Sequence, residues 1–279
     1  MKTVTLPDGK RVPALGQGTW RMGEDDRARA TEIAALRLGI ELGMTLIDTA
    51  EMYGDGGAEK IVAKAIHGQR GGVFVVTKVY PHNASREKLP KACERSLKRL
   101  HIDAIGLYLL HWRERTPPLQ ETVDAFEELR AANKIKRWGV SNFDVDDMDE
   151  LLSLEDGREC AANQVLYNLQ NREIEFALFP WSLANKIPIM AYSPVGHSGA
   201  LLGNPALKKI AKLHHATPAQ IALAWVLRQR NVIAIPKAST ASHVRDNAAS
   251  LKIKLTKEDL AELDREFPPP QSKKSLPVL

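Results

Sequence analysis

Short apolar runs with strand character alternate along this chain with stretches whose apolar positions recur at helical spacing. The opening VTLPDGKRVPAL reads as a β-hairpin that turns at Asp8-Gly9. Strand candidates follow at Leu15–Thr19, Thr45–Asp48, Val73–Val79, Ala104–His111, Ile135–Ser141, Ala162–Tyr167, Ile187–Ser193 and Val232–Pro236. Between them lie helical stretches such as ARATEIAALRLGIELG, SREKLPKACERSLKRL, ETVDAFEELRAANK and TPAQIALAWVLRQR. Eight strands, each followed by helical sequence, predict an α/β fold of the (β/α)8 TIM-barrel type behind an N-terminal hairpin. Two segments exceed the simple repeat. One is YSPVGHSGALLGNPALKKIA after the seventh strand; the other is everything after Ala249, where helix-like TKEDLAELDREF gives way to PPPQSKKSLPVL. Extra C-terminal helices are therefore expected, followed by a proline- and lysine-rich end prone to fray. A doubly wound sheet lacks its signature, because the G-x-G of Gly16 and Gly18 is not continued as a G-x-G-x-x-G leading into a helix.

The carboxyl ends of barrel strands point at one shared mouth. In LIDTAEMYG, VFVVTKVYP and LYLLHW, the residues Asp48, Lys78 and His111 stand where an apolar run stops, and Tyr53 follows Asp48 closely. An acid, a phenol, an ammonium and an imidazole are thus expected together. A cation beside a phenol stabilises phenolate, and a carboxylate holds that cation in place. The imidazole is left to orient a polar substrate oxygen. Singly, each has a plainer explanation: a satisfied core histidine, a snorkelling lysine, a helix cap at Asp48-Thr49, a rim aromatic. Their coincidence at successive strand ends favours a proton-delivering site. A lysine at a barrel strand end can also form a Schiff base in an aldolase once desolvation lowers its pKa, and that chemistry needs no nicotinamide.

Composition narrows the function classes. No linker, low-complexity stretch or break in composition divides the 279 residues, so one domain over 1–279 is expected. MKTVTLPDGKRV lacks the apolar centre of a secretory signal, and no apolar run reaches the roughly 18 residues of a membrane span. Cys93 and Cys160 lie far apart and outside any CxxC pair, which suits a reducing compartment; cytoplasmic is the expectation. The net charge of +5 comes from Lys and Arg interleaved with acids, without an arginine-rich arm. Neither nucleic acid nor membrane is an expected partner, and no His/Cys/Asp cluster has metal-ligand spacing. The slight excess favours anionic cofactors or substrates. Sequence alone leaves oligomeric state open, with a monomer favoured.

DTAEMYG, TKVYP, LLHW, GVSNF, NQVLYN, AYSP and IPKAST, in this order, resemble the successive signatures of the aldo-keto reductase family over essentially the whole chain. The GQGTWRMGE opening and compact length look most like small bacterial members that reduce methylglyoxal and related aldehydes. The resemblance implies reduction of a small-molecule aldehyde or ketone with NADPH, and with NADH at lower efficiency. It implies Tyr53 as the proton donor, tuned by Lys78 and Asp48, with His111 orienting the carbonyl. Ser141, Asn142 and Gln164 would hold the nicotinamide carboxamide, and Tyr192 would stack on the ring. Gly18, Thr19, Trp20 and Asp48 would also border the dinucleotide. Ser193, Pro194 and Val195 would line the pyrophosphate path. Ile235 would also border the dinucleotide; Lys237 and Ser239, following the eighth strand, would meet the ribose 2′-phosphate, and Asn247 the adenine. Trp20, Met52 and Trp112 would wall the substrate pocket around Tyr53 and His111.

One position departs from the family pattern. Many relatives carry R-x-x-E-N, whereas this chain has His243-Val244-Arg245-Asp246-Asn247. Histidine has no bidentate fork and at most a fractional charge near neutrality. A moderate NADPH preference is therefore expected, resting on Lys237 with His243 and Asp246 nearby. The short connection from Trp112 to Pro118 and the early end of the tail predict a shallow, open mouth. A nicotinamide-binding subunit without catalysis is the alternative reading on the same barrel.

Overall fold

In the computed structural model, which describes residues 2–279, β1 (Thr3–Thr5) and β2 (Arg11–Pro13) pair antiparallel as the expected hairpin. Gly9 supplies the turn's φ of 85°, and Asp8 Oδ1 accepts the Lys10 amide at 3.0 Å. Eight further strands are hydrogen-bonded in chain order, all parallel among the described residues. They are β3 (Gln17–Gly18), β4 (Leu46–Asp48), β5 (Phe74–Val79), β6 (Leu107–Leu110), β7 (Trp138–Ser141), β8 (Asn163–Leu166), β9 (Ile189–Tyr192) and β10 (Val232–Ala234). Bridges from Leu15 to Ala234 and from Gly18 to Lys237 bring the first and last strands together, nearly closing the barrel. That closure needs a glycine. A Cβ on Gly18 would lie 2.7 Å from the Ile235 carbonyl oxygen.

Strands buried on both faces read as continuous apolar runs, which is why β6 and β10 were legible without alternation. The ladders are shorter than the runs. From Ala104–His111 only Leu107–Leu110 forms a regular strand, while Ile105 makes a single bridge to Ile135. Helices Arg29–Glu41, Lys88–Leu100, Leu119–Ala131 and Pro218–Leu227 fall where the periodicity put them. The last starts from a capping box, with Thr217 and Gln220 satisfying each other's amides. Helix Pro205–Leu213 occupies the long segment after β9, and helices Ala241–Ala249 and Lys257–Glu266 follow β10. One contiguous apolar core joins the barrel to its outer helices. Among the described residues, no helix is long and apolar enough to cross a membrane.

The end of the chain packs back against the fold. Leu276 packs against the core, and Lys273 Nζ lies 3.0 Å from Asp146 Oδ2 and 3.7 Å from Asp144 Oδ2. These partners are more than a hundred residues away in sequence, so composition of the tail alone gave no sign of them.

Candidate active site

Asp48 is the last residue of β4, Lys78 lies near the end of β5, and His111 directly follows β6. The parallel register, Asp48 beside Val76 and Lys78 beside Leu109, puts them on one rim. Lys78 is completely buried. Its Nζ donates to Asp48 Oδ2 at 2.8 Å, to the Thr49 carbonyl at 2.9 Å and to the Tyr53 hydroxyl at 3.1 Å. An ammonium has three protons, and all three are used. Asp48 Oδ1 accepts from Gln164 Nε2 at 2.7 Å, and the Asp48 carbonyl accepts from Thr19 Oγ1 at 2.9 Å. The loop that carries Tyr53 turns through Gly54 and Gly56, both at positive φ. Glu51 fastens it to the segment after β5, accepting from the Tyr80 amide at 2.8 Å and Asn83 Nδ2 at 3.1 Å.

Burial opposes the charge on Lys78, but Asp48 and Tyr53 outweigh it and hold the ammonium above the ordinary lysine range. A Schiff-base lysine needs the reverse shift, so the aldolase reading loses its support. Burial pushes the Asp48 carboxyl up, while Lys78 and Gln164 pull it back. A cation beside Tyr53 is expected to pull it toward phenolate. Lys78 does exert that pull, yet burial is larger and Asp48 adds to burial, so the phenol sits above its usual value and keeps its proton. His111 is lowered to about 3, by burial first and by Lys78 second, and is neutral at physiological pH. Its Nδ1 is buried without a partner. A lone pair left unpaired costs less than an orphaned N–H, which places the proton on Nε2. The site therefore presents two neutral donors, a phenol and an imidazole N–H, whose rings meet edge to face at 5.9 Å.

Ser141, Asn142, Gln164 and Tyr192 form a band on the neighbouring strand ends. Ser141 Oγ donates to the Gln164 carbonyl at 2.8 Å. Asn142, at φ 61°, donates from Nδ2 to the His111 carbonyl at 3.2 Å and accepts the Tyr192 hydroxyl on Oδ1 at 3.1 Å. Burial raises the Tyr192 phenol to about 12. After β9 the chain turns tightly through Ser193, Pro194 and Val195, with Ser193 and Gly196 both at positive φ. Across the barrel closure, Ile235 is buried, Lys237 exposed and Ser239 half-buried, just ahead of helix Ala241–Ala249, which Thr240 caps. On that helix His243 is exposed, Asp246 half-buried and Asn247 buried; Arg245 is exposed and two residues from His243. An exposed lysine beside a helix start is a favourable seat for phosphate. Amides, an aromatic ring and this anion-friendly end, along one arc of the mouth, fit a phosphorylated dinucleotide.

Trp20 and Met52 stand exposed at the rim, the Arg21 guanidinium lying 4.5 Å over the Trp20 ring. Trp112 packs edge-on against Tyr80 at 5.8 Å and tilted against His111 at 5.0 Å. Beside it opens a cavity of about 740 Å³ whose lining includes Trp112, Arg113, Asn142, Asp147 and Val278. Arg113, Asp147 and Val278 were not among the sequence-predicted site residues. Arg113 could have been suspected from its place after His111-Trp112, but nothing local marks Val278. Among the described residues, no group of three His, Cys, Asp or Glu side chains is arranged to hold a metal.

The family model for the aldo/keto reductase family matches residues 14–266. The chain is 53% identical over 282 residues to methylglyoxal reductase YeaE of Escherichia coli K12, covering 100% of this chain and 99% of that protein. It is 32% identical to a 9,11-endoperoxide prostaglandin H2 reductase of Trypanosoma cruzi, over 94% of this chain and 90% of that one. Among solved structures, an aldo/keto reductase from Klebsiella pneumoniae in complex with NADP and acetate superposes with a TM-score of 0.97 at 50% identity, covering 100% of this chain and 99% of that chain.

Proposed function

We propose that this chain, which belongs to the aldo/keto reductase family, reduces small activated carbonyls such as methylglyoxal to alcohols with NADPH. The dinucleotide supplies the hydride when bound. Tyr53 delivers the proton to the carbonyl oxygen, and His111 Nε2–H orients that oxygen and stabilises the charge growing on it. Lys78, held by Asp48, limits how far burial raises the Tyr53 phenol and so eases proton transfer. Asn142 and Gln164 hold the carboxamide with Ser141, Tyr192 packs against the ring, and Lys237 with Ser239 receives the 2′-phosphate.

The observation that carries this reading is the saturated Lys78 ammonium with Tyr53 as its third acceptor. A binding subunit without turnover would have no use for a buried, fully assembled proton-delivery set. The small-carbonyl assignment is supported by the methylglyoxal reductase relative at 53% identity. We place the enzyme in the cytoplasm as a one-domain monomer. Two free, buried thiols, Cys93 and Cys160, suit a reducing compartment.

The test is steady-state reduction of methylglyoxal, an aldose and a bulky steroid ketone, each with NADPH and NADH. Methylglyoxal with NADPH should give the highest specificity constant. A steroid clearly ahead would reject the small-substrate reading. Reduction by borohydride in the presence of substrate should trap no adduct on Lys78.

A further inference from the structure

The start of helix Val145–Ser153 gathers several segments of the mouth. The helix closely follows Ser141 and Asn142 and is closed by a capping box. Asp144 Oδ1 accepts the Val145 amide at 2.8 Å, and Asp147 Oδ2 accepts the Asp144 amide at 3.1 Å. The first two turns then reach outward twice. Asp147 Oδ1 accepts from Arg113 Nη1 at 2.9 Å, and Glu150 takes Arg113 Nη2 at 2.6 Å, which fastens the segment after Trp112. Asp146 receives Lys273 Nζ at 3.0 Å on both oxygens, with Asp144 Oδ2 at 3.7 Å. Beyond Lys273, Leu276 packs on the core and Val278 lines the cavity with Trp112 and Asn142. Two segments that line the cavity, one following Trp112 and one preceding Val278, are thus tied to one helix by the separate ion pairs of Arg113 and Lys273.

The geometry points to Lys273 as a positioning residue for substrate selectivity: by pairing with Asp144 and Asp146 it holds Val278 at the cavity wall and favours carbonyls small enough to fit beside it. This inference rests on the reductase reading given above. The ion-pair partners of Lys273, Asp144 and Asp146, belong neither to the cavity lining nor to the quartet. The carboxylates sit at a helix start, where the backbone dipole favours negative charge, so the acceptor side is fixed. The pair is solvated, with Asp146 87% and Lys273 41% exposed. Solvated pairs are weak and screened by salt. Such a tie gives a modest, salt-sensitive preference for a small substrate over a larger one.

Lys273→Glu sets a third carboxylate against Asp144 and Asp146. It should raise the KM for methylglyoxal roughly two- to fivefold, leave kcat unchanged and narrow the preference for methylglyoxal over a bulky aromatic ketone. Lys273→Arg should keep the wild-type selectivity, and the exchange Lys273→Glu with Asp146→Lys should restore it. High salt should move the wild type toward the Lys273→Glu values by screening. If the wild type reduces methylglyoxal with NADPH while Lys273→Glu shows wild-type KM and selectivity, the positioning role is overturned and the reductase reading stands. A parallel loss of kcat and thermal stability in Lys273→Glu would likewise overturn it, marking Lys273 as merely structural. A wild type inactive on every carbonyl would remove both.

Discussion

The floor of the barrel mouth and its rim are built on opposite terms. On the floor, Asp48 and Lys78 are almost wholly shielded from water, and the Lys78 protons and both Asp48 oxygens have partners within 3.1 Å. At the rim, Lys237 and His243 are exposed and the Lys273 tie is bathed in solvent. In the buried set an ion pair is unforgiving, because removing one member strands the other's charge. At the rim, water replaces a lost partner and each contact is worth little. The floor is thereby suited to a fixed reaction, and the rim to adjusting which cofactor and substrate are accepted.

Substitutions on the floor should therefore have large effects and those at the rim small ones. The largest is expected for Tyr53→Phe, which removes the proposed proton donor and keeps the ring; kcat for carbonyl reduction should fall ~10²–10⁴-fold, with NADPH binding by fluorescence titration retained. Near-normal turnover would end the assignment of Tyr53. Lys78→Met leaves Asp48 as an unpaired buried charge and should cost roughly 3–5 kcal/mol of stability in denaturant unfolding. The double variant Lys78→Met with Asp48→Asn should recover part of that loss. Failure to recover any would mean the pair is not the source of the cost.

A third test concerns pH. His111 has a folded-state pKa lowered to about 3 from an ordinary 6.5, so between those values the unfolded chain binds a proton that the folded chain does not. Its contribution is present above the unfolded value and is lost as pH falls toward about 3. Acid unfolding of His111→Phe should be shallower than that of the wild type over this window; parallel curves would show that His111 is not held neutral. For reduction itself, the raised Tyr53 phenol should keep turnover from falling until pH exceeds the ordinary tyrosine range. The smallest effect belongs to the rim. Lys237→Ala should raise the KM for NADPH about three- to tenfold and leave that for NADH nearly unchanged, as expected for loss of one exposed charge-assisted contact. Equal effects on both cofactors would show that Lys237 does not read the 2′-phosphate.

Much of the floor was legible because its residues announce themselves locally. Asp48, Lys78 and His111 each interrupt an apolar run, and in a parallel barrel the end of such a run has one destination. The strand order, hairpin and extra C-terminal helices followed from the same alternation, since burial on both faces of a strand leaves a continuous apolar signature. What the sequence could not carry was contact between distant segments and the net result of competing fields. One of the three acceptors of Lys78 is the Thr49 backbone carbonyl, which no side-chain pattern can encode. The Tyr53 phenol lies above its ordinary range because burial exceeds the pull of Lys78, a comparison that exists only once the residues are packed. The tail, read as an irregular end, lies along the cavity because Lys273 meets Asp146 and Leu276 meets the core. Local periodicity fixes what each segment becomes; only the closed barrel decides which segments share water, charge and space.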